Sequence, residues 1–423
     1  MEEHLFRHES GKMVAALTKF FGFSRVDIAE DIVQETLLTA LHTWKTKGVP
    51  DNPSAWLYRV AKNNAINYLR RERHFQTHIA PHIAAALDAE NEENGAGFDT
   101  IFLHHEIEDA QLRLMFACCH PALGSDVQLI LILKTLCGLH TREIAAALLT
   151  PEDTVAKRLY RAKEKIKSER IHLEVPVGTT LDDRFEAVLK AVYLLFNEGY
   201  KSSSSDAVIR HDLSEEALRL GLLLCAERSN ITTFNLRKAN ALMALMCFHA
   251  ARFGSRLDDL GQIVLLEDQN REKWDQFLIS RAYSFLKASA SGDEVSAYHI
   301  EAAIASHHAR ATSFERTDWT AIYHCYHLLY HLNPTAIVAF NRAIARGYAE
   351  GPLAGIESLT ALTTLGNNHF YHAALGDFYQ KSQQPDAARA AYERALQYVV
   401  LETEKKVIGD KIAAIRAVEF LRN

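Results

Sequence analysis

Thr150-Pro151-Glu152-Asp153-Thr154-Val155-Ala156-Lys157-Arg158-Leu159-Tyr160-Arg161-Ala162-Lys163-Glu164-Lys165-Ile166 is the stretch from which the rest of the chain can be read. Thr at an N-cap, Pro at the first helical position and an acid at the third announce a helix start. Val155, Leu159, Ala162 and Ile166 then recur at helical spacing as one buried stripe, which turns Thr154, Lys157, Arg158, Arg161 and Lys165 outward. Just upstream, Thr141 to Leu149 is a second short amphipathic helix, with Ile144 and Leu148 one turn apart. Helix, tight turn, basic helix is the order of a helix-turn-helix, whose second helix enters the major groove and reaches base edges from near its N-terminus. Arginine reads guanine O6 and N7, whereas lysine mostly meets phosphate. A lone charge run would be a solvated helix face; the capped turn and the preceding helix favour DNA here.

Around this segment the chain runs to 423 residues, enough for about three domains at roughly 150 residues each. Apolar residues make up 48% and charged residues 24%, a globular composition. The net charge of −6 is unevenly spread. Five basic residues (Arg59, Lys62, Arg70, Arg71, Arg73) stand against Glu72 between Ser54 and Arg73, and seven against Glu164 and Glu169 between Thr154 and His172. Gln76 to Ala110 carries eight acids and no Lys or Arg. Two basic helices flanking an acidic connector point to phosphate contact, which depends on local charge clusters and not on whole-chain charge. Strand signals are weak throughout and helical periodicity is strong, so an all-α fold is expected.

The first quoted segment resembles the region-four domain of sigma factors, through Glu143-Ile144-Ala145, Leu148 and Thr154-Val155-Ala156-Lys157-Arg158-Leu159-Tyr160-Arg161-Ala162-Lys163. Ala156 stands where that family usually has Lys, a departure bearing on one phosphate or base contact. Asp31-Ile32-Val33-Gln34-Glu35-Thr36-Leu37 resembles the family helix that binds RNA polymerase, which makes Asp31, Gln34 and Glu35 the implied polymerase contacts. Carboxylates and an amide on one helix face suit charge-assisted bonds to a partner's arginines. Ser54 to Arg71 resembles the helix that opens the −10 promoter element. There Leu57, Val60, Ala61, Ala65, Tyr68 and Leu69 make an inner face, while Arg59, Lys62, Asn63, Asn67, Arg70 and Arg71 face DNA. The loop before it, Lys47 to Pro53, lies where the family captures a flipped-out base, with Asn52 as the candidate contact. Trp56 is read as core before stacking platform. The resemblance assigns −35 contacts to Asp153, Thr154, Lys157, Arg158, Arg161 and Lys165. No further domain fits between Phe75 and Glu106, which points to the small extracytoplasmic-function class.

The expected organisation is two small helical sigma domains, residues 1–75 and 106–176, joined by an acidic flexible linker at 76–105. A helical extension follows at 177–284, then tetratricopeptide-like repeats at 285–423. Leu375, Gly376, Tyr379, Ala388, Tyr392 and Ala395 have the repeat spacing, in which small residues let two helices touch and aromatics fill the gap. Asn333-Pro334 before Ala336 to Ala345 reads as a degraded unit. The extension also resembles that of a sigma subgroup, through Tyr193 to Tyr200, Leu265 to Gln269 with Trp274, and Asn341-Arg342-Ala343. That resemblance implies regulation by the extension in place of a separate anti-sigma protein, and a protein or intramolecular partner for the repeats. The competing reading is a repeat-bearing helix-turn-helix regulator that binds operators without joining polymerase.

Core RNA polymerase and promoter DNA are the expected partners, with no cofactor, metal or membrane. Cys118-Cys119-His120, Cys137 and His140 do not make a zinc motif, because adjacent cysteines point to different helix faces. The remaining histidines lack ligand spacing, and the Ser202 to Ser205 run reads as a loop. Absence of a phosphate loop, nucleophile elbow or acid pair argues against an enzyme. Scattered cysteines in helical contexts and the acidic start Met1-Glu2-Glu3-His4 are expected of a cytoplasmic chain.

Overall fold

The computed structural model describes residues 2–79, 102–148, 150–176, 179–200, 211–226, 231–258, 264–399 and 402–422. Much of the acidic connector and the whole serine run therefore lie outside the described residues. Among those described, every regular element is helical and there is no strand. The fold is all-α, and it divides into two compact units, Met1–Ile231 and Thr232–Asn423. No described helix is long and apolar enough to cross a membrane.

The first unit begins with α1 (Glu2–Phe21), a short turn of 3-10 helix (Phe23–Arg25), α2 (Val26–Lys47) and α3 (Pro53–Ile79). Gly48, at φ 81°, stops α2 in a backbone conformation that side chains oppose. Asn52 starts α3 by accepting the Ala55 amide at 3.0 Å. Next come α4 (His104–Cys118), α5 (Ser125–Thr135), α6 (Thr141–Ala147), α7 (Glu152–Ser168), α8 (Thr179–Tyr200) and α9 (His211–Leu224).

Met13 to Leu17 are all at most 3% exposed, so α1 has no open side over that run. An amphipathic surface helix buries about one face; α1 is enclosed because α2 and α3 pack on it from its own domain and α4 from the next. Closest approach is at Gly11, where an added Cβ would drive into the Leu136 carbonyl between α5 and α6. Leu129 to Leu133 of α5 are likewise buried, with α8 laid against them and α9 against α8.

The helix-turn-helix is present, with one shift at its turn. Pro151, not Thr150, occupies the N-cap of α7, and its carbonyl accepts the amides of Thr154 and Val155 at 2.9 and 3.2 Å. Thr150 is still completing α6: its amide donates to Ala145 O at 3.0 Å and its hydroxyl to Leu148 O at 3.0 Å, leaving it unable to cap α7.

The second unit runs through α10 (Thr233–Ala250), α11 (Gln276–Ser289), α12 (Ala297–Arg310), α13 (Trp319–Leu332), α14 (Ala336–Glu350), α15 (Pro352–Thr360), α16 (His369–Lys381), α17 (Pro385–Leu396) and α18 (Glu402–Arg422). From α12 onward each helix packs on the next, the signature of a repeat array. α14 starts after the Asn333-Pro334 break, with Thr335 accepting the Val338 amide at 3.3 Å. Gly376 has no room for a Cβ because the fully buried Tyr392 ring lies on it, while Ala388 and Ala395 are fully buried beside it. Gly347 and Gly355 meet Phe378 in the same manner one helix pair earlier.

Candidate nucleic-acid interface

α7 places its side chains as the periodicity requires. Val155, Leu159, Ala162 and Ile166 are buried, Asp153, Lys157, Arg161 and Lys165 are exposed, and Thr154 and Arg158 are half-buried. Arg158 lies 3.6 Å from Asp126 and Lys165 3.6 Å from Glu169, both in reach of water and so weakly held. Lys157 and Arg161 have no acid partner among the described residues. Tyr160 stands beside them, 68% exposed.

On α3, Arg59, Asn63, Asn67, Arg70 and Arg71 are exposed and Lys62 half-buried. Leu57, Ala61 and Ala65 are fully buried, whereas Val60, Tyr68 and Leu69 of the expected inner face are half-buried. Glu72 is withdrawn from this surface because Arg25 clasps both its oxygens at 2.8 and 2.9 Å. Burial opposes the Arg25 charge, but the bonds to Glu72 and Tyr68 together outweigh it and raise that guanidinium's pKa. The outward side of α3 is thereby left basic. Asn52 is exposed, with its Oδ1 accepting the α3 capping bond and its amide nitrogen free of that bond. Trp56 is half-buried edge-on to Trp44, ring centroids 5.5 Å apart, as a core residue should be.

Asp31, Gln34 and Glu35 are exposed along one side of α2. The sequence reading stopped there, whereas the structure continues that side through Leu38 and Leu41, 65% and 49% exposed. Two leucines beyond what the buried stripe needs were the available signal. Gln34, Leu38 and Leu41 line one wall of a cleft of about 590 Å³; Lys134, Gly138 and His140 line the other.

The sequence reading also missed the back of α7. Lys163 donates to the nearly buried Glu30 of α2 at 2.7 Å, and Lys167 lies 3.8 Å from Asp27. Cys118 is buried with its sulfur 3.7 Å from the Thr135 hydroxyl, and burial pushes its thiol up to about 12. Among the described residues no three metal-ligating side chains gather.

A helix-turn-helix and a separate basic, asparagine-bearing helix in one chain define a DNA-binding transcription protein. Residues 5–75 match Sigma-70 region 2, residues 113–166 match Sigma-70 region 4, and residues 184–290 match a family of unknown function, DUF6596. An uncharacterized protein of Rhizobium meliloti (strain 1021) is 33% identical over 90% of this chain and 88% of its own. The ECF RNA polymerase sigma-E factor of Haemophilus influenzae is 31% identical over 37% of this chain and 81% of its own, and that of Escherichia coli (strain K12) is 29% identical over 33% and 72%. No solved structure matches. The chain belongs to the extracytoplasmic-function sigma-70 family. It is an RNA polymerase sigma factor with a long C-terminal extension, and core polymerase and promoter DNA are its partners.

Proposed function

We propose that Arg59, Lys62, Asn63, Asn67, Arg70 and Arg71 on α3 bind the −10 element, with Asn52 at the edge of that surface. The exposed side of α7, from Asp153 and Thr154 through Lys157, Arg158, Arg161 and Lys165, binds the −35 element. Asp31, Gln34 and Glu35 hold core polymerase, and Leu38 and Leu41 extend that contact. The division into 1–75, 76–105, 106–176, 177–284 and 285–423 follows these roles, and the protein acts in the cytoplasm. The observation that carries the reading is that most basic groups of two sigma-matched helices face solvent, while Leu57, Ala61 and Ala65 of one and Val155, Leu159, Ala162 and Ile166 of the other are buried.

Run-off transcription with purified core polymerase tests it. Arg158→Ala is expected to lose about 1–3 kcal/mol of discrimination at one −35 position if it reads a base. A uniform loss across promoter sequences would assign it to phosphate instead. Absence of any promoter-specific transcript or of co-elution with core would overturn the promoter assignment.

The extension regulates this activity, and the repeats take a segment of their own chain as partner. What supports that is Glu267, in the Leu265 to Gln269 motif, whose carboxylate lies 3.8 Å from Lys381 and 4.0 Å from Lys411 of the repeats. Truncation after Pro176 is expected to change promoter output, and Glu267→Lys to loosen the motif from the repeats without unfolding them. Output unchanged by truncation would make the extension a passenger.

A further inference from the structure

We infer that the first helix pair of the unknown-function segment, α8 and α9, is an intramolecular clamp that holds the two promoter-binding domains of the free protein against each other. This rests on the assignment of α3 and α7 to two promoter elements. Residues matched to the unknown-function family begin at 184, so the pair falls within that match for most of its length.

The clamp is built on side chains from three segments that are remote in sequence. Arg7 of α1 donates to Glu143 of α6 at 2.7 Å and pairs with Asp212 of α9, joining both promoter domains and the extension through one guanidinium. Arg219 of α9 donates to the buried Gln111 of α4 at 3.0 Å and to Glu216 at 3.0 and 2.5 Å. Glu216 in turn faces His8 of α1 at 3.9 Å. Burial alone would raise the Glu216 carboxyl, but the bonds from His8 and Arg219 prevail and hold it below the usual carboxylate range. A small cavity of about 140 Å³ marks where Arg7, His8, Cys137 and Asp212 converge. Lys19 to Glu106 and Asp109, at 2.7 Å each, and Lys163 to Glu30 complete the closure from the promoter domains themselves.

Size makes this arrangement incompatible with promoter engagement. A compact body of about 230 residues has a radius of gyration of roughly 17 Å, or about 45 Å across. The −10 and −35 elements lie about 25 base pairs apart, roughly 85 Å at 3.4 Å per pair. One closed body cannot set α3 on one element and α7 on the other. Region 4 also walls the cleft beside Gln34, so the polymerase face is flanked in the closed form. Polymerase and promoter must therefore pull α1 away from α4 and α9.

Cys137 reports the opening, because it is 1% exposed and lines the cavity between α1 and α9. Cys118, fully buried against Thr135, reports whether region 4 itself stays folded. The full chain is treated with a small thiol reagent, and labelling at each cysteine is followed by peptide mass. The double variant Asp212→Asn/Arg219→Gln is expected to label at Cys137 at least tenfold faster than the parent, with Cys118 still protected. Gly11→Ala, which wedges α1 off the Leu136 carbonyl one turn along the same face of α1 as Arg7, is expected to do the same while leaving the side chains of the extension untouched. Added core polymerase should likewise expose Cys137 in the parent.

Unchanged Cys137 rates in both variants would overturn the clamp. So would a parallel rise at Cys118, which would make these contacts part of the folding of region 4, or persistent protection of Cys137 in the polymerase complex. Failure of the promoter assignment reads differently: the parent would give no promoter-specific transcript, whatever Cys137 does.

Discussion

The repeats and the promoter-binding unit are both built of helices, but they are held together on different principles. In the repeats, helix packs on following helix, and the bond that locks Tyr392 to Asp377, 2.5 Å long, spans 15 positions. In the promoter-binding unit the deciding bonds join Glu30 to Lys163 across 133 positions and Arg7 to Asp212 across 205. A repeat can therefore be damaged locally, whereas the first unit depends on several contacts between segments remote in sequence. That separates a scaffold from a body made to come apart.

The largest effect should come from the repeats. Tyr392→Ala removes a fully buried ring from a cluster with Val399, Ile408, Ile412 and Ile415, a loss of about 3–5 kcal/mol. Calorimetry should show that unit's transition fall while Cys137 labelling in the other unit stays slow; a joint fall would break the comparison. Glu30→Ala leaves Lys163 without its partner on a half-buried site. Because a quarter of the Lys163 side chain remains exposed, the cost should be nearer 1–2 kcal/mol than the full penalty of a buried pair. Its signature is faster opening, read by thiol labelling, with little change in melting of the repeats.

Acid should distinguish the units as well. Burial lowers the His308 pKa from 6.5 to about 3, so the unfolded chain takes up a proton over that interval while the folded chain does not. His308 thus contributes its full stability above pH 6.5 and loses it as pH falls toward 3, by up to about 1.4 kcal/mol per pH unit. His308→Leu should flatten that decline in the repeat transition; an unaltered slope would assign it to other groups. The smallest change belongs to Lys19→Ala: the lysine is 33% exposed in its pairs with Glu106 and Asp109, and about 0–1 kcal/mol is expected. Opening measured against salt should register that variant more clearly than a melt does.

What each region gave away in its sequence follows from the range of its contacts. The stripe Val155, Leu159, Ala162 and Ile166 was legible because a helix repeats its faces every few residues, and Gly376 with Tyr392 because a repeat packs on its neighbour. The placing of Thr150 one residue early came from reading a cap by residue type, when its hydroxyl and amide were already spent on α6. Leu38 and Leu41 were passed over because exposure is a property of what fails to pack on a helix, which periodicity alone does not report.

The sequence by itself determined the helical class, the two helices with basic solvent-facing sides and the repeat-like spacing at the end, all of them consequences of local spacing and residue chemistry. Tertiary structure alone decided that α1 is enclosed by α4, that Lys163 and Lys167 turn to α2 instead of DNA, and that Arg7 ties both domains to the extension. Those depend on which of many charged and apolar surfaces meet, and nothing within a few residues of Arg7 names a partner 205 positions away.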